Sequence, residues 1–122
     1  LRTAVVSSSM NCDMILRAAG IADLFDLRVD GEVATRLGLS GKPAPDTFLE
    51  AAKQLDVEPA RAVVIEDAMA GVEAGRAGRF GLVIGVDRRG SPGDLYTAGA
   101  DVVVGDLAET LRIPDVPHAS EK

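Results

Sequence analysis

Short apolar runs alternate with amphipathic stretches along the whole chain. Residues 3–6 are rich in β-branched and apolar side chains and run into Ser7, Ser8 and Ser9, which reads as a buried strand. A helix is expected over 11–19, stopped by Gly20 as its C-terminal cap. Residues 25–29 form a weaker strand candidate, and 38–45, with Gly38, Ser40, Gly41, Pro43 and Pro45, have the chemistry of a loop.

From Pro45 and Asp46 a further helix is expected, with an acid near its positive end. Its Phe48, Ala51, Ala52 and Leu55 fall at i, i+3, i+4 and i+7, one apolar stripe. Residues 62–65 are the clearest buried strand. A helix follows over 69–77, with Gly71 and Gly75 one turn apart, then a strand over 82–86, a helix over 93–98 and a strand over 101–104. This rhythm predicts an α/β fold, a doubly wound parallel sheet covered by helices, in one domain over 1–113. Residues 114–122, with Pro114 and Pro117, read as a flexible tail.

Composition narrows the function classes. The chain of 122 residues carries a net charge of −6, from 19 acidic against 13 basic residues. No tight basic cluster offers a surface for nucleic acid or an acidic membrane. Cys12 is the single cysteine, so neither an internal disulfide nor a multi-cysteine zinc site is expected, compatible with a cytoplasmic location. No apolar run approaches the roughly 20 residues of a membrane span. The opening at Leu1, directly before a strand and without an initiator Met, suggests a piece of something longer.

In a sheet of this kind ligands bind at the carboxyl ends of the strands, so the polar residues after each apolar run are the candidates. These are Ser7, Ser8 and Ser9, then Lys42 in its Gly-Pro loop, then Glu66 and Asp67 after Ile65. A serine there can hold a phosphate or simply cap the next helix. Lys42 can neutralise phosphate and a carboxylate together, or be solvated like most lysines. The two acids suit a hard cation such as magnesium, which takes few protein oxygens and completes its shell with phosphate and water. The competing reading makes Asp67 a helix N-cap and leaves Glu66 exposed. Gly71 would let the following helix approach the backbone closely. Gly75, Gly78 and Gly81 follow a helix and are no dinucleotide fingerprint, and His118, the only histidine, lies in the tail and is a poor catalytic base.

In order, residues 4–11, 41–48 and 64–75 resemble motifs two, three and four of the haloacid-dehalogenase superfamily, nearest its β-phosphoglucomutase-like branch. The resemblance implies a Rossmann-like core and a Mg2+ cofactor. By position it makes Ser7, with the Ser8 amide, the holder of the transferring phosphoryl group. Ser9 and Asn11 match positions touching the substrate phosphate, Lys42 offsets charge on an aspartyl phosphate, Asp67 ligates the metal, and Glu66 ligates it or holds its water. Ala68 stands where many mutases have serine.

The family attacks phosphate with the first aspartate of an Asp-x-Asp motif, and no such motif occurs in these 122 residues. Asp30-Gly31 imitates its tail only superficially. The core is therefore expected to be incomplete, without the nucleophile strand and without the cap domain that governs substrate choice. That strand would lie between those ending at Ser7 and Glu66, leaving two unpaired inner edges and favouring self-association or pairing with a missing N-terminal segment. The expected function is one part of a phosphatase or phosphomutase acting on a small phosphorylated metabolite, a sugar phosphate. The alternative is a non-catalytic fragment or degenerate domain serving as a binding scaffold. A phospho-receiver domain fits less well, because its acids precede the hydroxyl and lysine.

Overall fold

The computed structural model describes residues 2–8 and 12–105. Five strands and five α-helices make it up, in the order β1 (Ala4–Val6), α1 (Cys12–Ala18), β2 (Leu27–Val29), α2 (Gly31–Leu37), α3 (Asp46–Gln54), β3 (Val63–Glu66), α4 (Met69–Ala77), β4 (Leu82–Val86), α5 (Pro92–Ala98) and β5 (Val102–Val104). All strand pairs are parallel, as the helical crossovers require. The α/β class and the parallel pairing agree with the sequence pattern, and β4 and α4 have the expected bounds. The tail over 114–122 and His118 lie outside the described residues.

The strands form two sheets rather than one. β1 pairs with β2, and β3, β4 and β5 make a second sheet in that order. Among the described residues no strand joins β1 to β3. α3 spans the two sheets, packing on β1, β2 and α4. Its Phe48, Ala51 and Ala52 are buried, so the predicted apolar stripe is the contact face. Phe48 also meets Phe80 edge to face, with ring centres 5.9 Å apart.

The main core lies between the β3–β4–β5 sheet and helices α4 and α5, around Val64, Val72, Val83 and Leu95. A second cluster of Ile84, Val86 and Val104 sits on the opposite face. Gly75 lets α4 lie directly on that sheet: a Cβ there would stand 3.2 Å from both Val64 and Val83. β3 departs from expectation. Only Val64 is buried in it, and Ile65 is 51% exposed on the face away from α4.

The helix α2 was not anticipated, although its signals are ordinary. The Asp30 carboxylate accepts from the Val33 N–H at 3.0 Å as the N-cap, and Gly38 closes the helix at φ 68°. Asp30 is thus a buried cap, not the remnant of a catalytic motif. α1 ends as predicted, with Gly20 at φ 74° and its N–H donating to the Arg17 carbonyl. No helix among the described residues is long and apolar enough to cross a membrane.

Candidate functional site

Three strand or loop ends meet at the seam between the two sheets. Lys42 is the residue that joins them. Its ammonium donates to the Val6 carbonyl at 3.0 Å, at the carboxyl end of β1. It also donates to Glu66 Oε2 at 2.6 Å, at the carboxyl end of β3. Both side chains are mostly shielded, at 17% and 12% exposure, so the pair is charge-assisted and little screened. The ammonium further lies 4.9 Å from the centre of the Phe48 ring, an attractive cation–π distance.

The loop is built to hold that lysine. Asp46, the first residue of α3, accepts from the Ser40 N–H at 3.0 Å and so closes the segment around Lys42. The Ala44 N–H donates to the Gly41 carbonyl at 3.0 Å, and the Lys42–Pro43 peptide is cis. Lys42 is therefore no solvated lysine, the reading its composition alone favours.

Ser7 continues the β1–β2 ladder by donating its N–H to the Val29 carbonyl at 2.9 Å. That amide is committed to the sheet, so a ligand at this end would address the hydroxyl and later amides. Ser8 is exposed, while Ser9 and Asn11 lie outside the described residues.

Glu66 and Asp67 separate sharply. Asp67 is exposed and precedes the N-cap of α4, which is Ala68, with no side-chain capping bond. Glu66 is partly buried against Lys42. Neither half of the competing reading holds: Asp67 does not cap the helix and Glu66 is not solvated. Gly71 acts differently from expectation. A Cβ there would meet the Glu66 side chain, 2.1 Å from Cδ, so this glycine makes room for a carboxylate rather than for backbone.

Among the described residues no three His, Cys, Asp or Glu side chains gather into a metal cage. The candidate donors are two carboxylates adjacent in sequence, one exposed and one paired with Lys42, a sparse oxygen set of the kind a magnesium ion that keeps its waters can use. With Glu66 Oε2 engaged by Lys42, Asp67 is the more available oxygen donor. Sequence reasoning missed the supporting partners: the Val6 carbonyl, the Phe48 ring, and Asp46 as loop closure. Nothing in the residue types marks Phe48 as more than core, since its helical spacing explains it fully.

The model of the haloacid dehalogenase-like hydrolases matches residues 1–79. The chain belongs to that family. A β-phosphoglucomutase of Mycobacterium bovis is 49% identical over 114 residues, covering 91% of this chain and 44% of that protein. A trehalose-phosphate phosphatase of Mycobacterium leprae is 35% identical over 127 residues, covering 96% of this chain and 28% of that one. A solved haloacid dehalogenase family hydrolase from Deinococcus radiodurans, with bound phosphate and sodium, superposes with a TM-score of 0.75 at 33% identity. It is covered over 48% of its length by 88% of this chain. The β-phosphoglucomutases among these relatives put the chain in that branch of the family. The chain spans less than half the length of each of these three relatives.

Proposed function

We propose that this chain supplies one wall of a magnesium-dependent phosphoryl-transfer site acting on a small phosphorylated metabolite, a sugar phosphate. The observation that carries the reading is the placement of Lys42, whose ammonium bridges the carboxyl ends of β1 and β3, two strands that each keep one unpaired edge among the described residues. A cation so held faces whatever occupies the seam, and an anionic occupant is what it would favour.

In this reading Ser7 positions the transferring phosphoryl group through its hydroxyl, with the Ser8 amide beside it, and Ser9 and Asn11 contact the substrate phosphate. Lys42 offsets charge on the phosphoryl group and on the attacking carboxylate. Asp67, with Glu66 directly or through water, holds the magnesium ion. The metal would supply charge neutralisation on the phosphoryl oxygens. The nucleophile is an aspartate on a strand that enters between β1 and β3 from outside these 122 residues, and substrate choice rests with a cap also outside them. The sugar phosphate names among the relatives support the substrate class.

Turnover of sugar phosphates by the full natural protein with magnesium tests this. Lys42→Ala is expected to lower kcat/KM at least ~100-fold, the scale of losing one preorganised charge-stabilising donor. The 122 residues alone are expected to show no turnover. Magnesium-dependent activity of that piece, abolished by Asp67→Ala, would put the nucleophile inside it and sink the reading.

A further inference from the structure

We infer that Gly71 is a positioning residue, whose missing side chain forms the berth that aims the Glu66 carboxylate at Lys42. Gly71 is buried in the first turn of α4. A Cβ built on it would stand 2.1 Å from Glu66 Cδ, 2.3 Å from Oε1 and 2.6 Å from Cγ. No side chain tolerates such distances, so alanine at 71 and Glu66 in its present place exclude each other.

Displacing a glutamate is ordinarily easy, because its end is flexible and swings into water. This one is tethered. Its Oε2 sits 2.6 Å from the Lys42 ammonium, which is itself fixed by the Val6 carbonyl and stacked near the Phe48 ring. Moving Glu66 off the helix therefore breaks the ion pair at the seam. The other glycine of this helix is a contrast. The atoms nearest to a Cβ at Gly75 belong to Val64 and Val83, at 3.2 Å, so it would press first on the core. What the carboxylate is held for rests on the function proposed above; that Gly71 holds it does not.

A double-mutant cycle in the full natural protein tests the berth, read by thermal unfolding and by the nitrogen NMR signal of the Lys42 ammonium. In the parent that signal is expected to be visible through slowed proton exchange, because the ammonium is bonded and shielded. Gly71→Ala should lower Tm by about 3–6 °C and abolish the signal. In a Glu66→Ala background the same change should leave Tm unchanged or raise it, since alanine is the better helix former once nothing is struck. Gly75→Ala should lower Tm in both backgrounds and keep the Lys42 signal. If Gly71→Ala does not fold, Gly71→Ala with Glu66→Ala should fold. An equal cost in the two backgrounds overturns the inference. So does an ammonium signal that survives Gly71→Ala, is lost in Gly75→Ala, or is missing from the parent, and so does a double variant that fails to fold where Glu66→Ala folds.

Discussion

Individual side chains in this chain are decided by what they touch rather than by their type. Asp30 shows this well. Burial would raise its carboxyl, but the Val33 amide, the Arg28 guanidinium at 2.8 Å and the Glu32 amide outweigh that and hold it below the ordinary 3.8. A carboxyl lowered in the folded state stabilises the fold above its unfolded value and loses that contribution as pH falls. Asp30→Asn keeps a capping oxygen but drops the charge. The parent should therefore be the more stable at neutral pH, and the difference should shrink below about pH 3.8, read from urea midpoints across that range. Thr47 is the opposite case. The residue is 6% exposed, and its buried hydroxyl has no hydrogen-bond partner among the described residues. Thr47→Val keeps the shape and removes the stranded group, and is expected to stabilise by roughly 1 kcal/mol in chemical denaturation. A loss of stability would show that the hydroxyl is satisfied after all.

At the scale of elements, the helices differ in how their ends are capped. α2 is capped at both ends, by Asp30 and Gly38. α4 begins at Ala68 with extended backbone and no oxygen to accept from its first-turn amides. Ala68→Ser supplies one, and should raise stability by about 0.5–2 kcal/mol, measured as a shift in unfolding midpoint at unchanged slope. α3 works differently, with its end residue Asp46 accepting from Ser40 instead of capping its own turn. The helix thereby fixes the loop that carries Lys42. Position of the cation and packing of Phe48 are consequences of one element's placement.

At the scale of the molecule, the described residues form two parallel sheets linked through α3 and the Lys42 bridge. β1 and β3 each carry an edge without a strand partner among the described residues, and Ile65 stands 51% exposed beside that seam. Open parallel edges next to apolar surface are templates for further pairing. The 122 residues by themselves are expected to self-associate, with sedimentation velocity showing species heavier than a monomer. A single monomeric species that unfolds cooperatively would refute this.

The sequence by itself determined the class of fold, because strand and helix periods are local properties of neighbouring residues. It also marked Ser7, Lys42, Glu66 and Asp67, since strand ends in such a sheet are where polar residues have ligands to meet. It did not reveal α2, whose short run between Asp30 and Gly38 carries too little apolar periodicity, nor the exposure of Ile65, whose neighbours in sequence look fully buried. Tertiary structure alone decided that Lys42 reaches the Val6 carbonyl 36 residues away and Glu66 24 residues away. It also decided that Gly71 yields its space to a carboxylate. Those facts depend on which backbone segments are brought side by side, and no spacing along the chain encodes that distance.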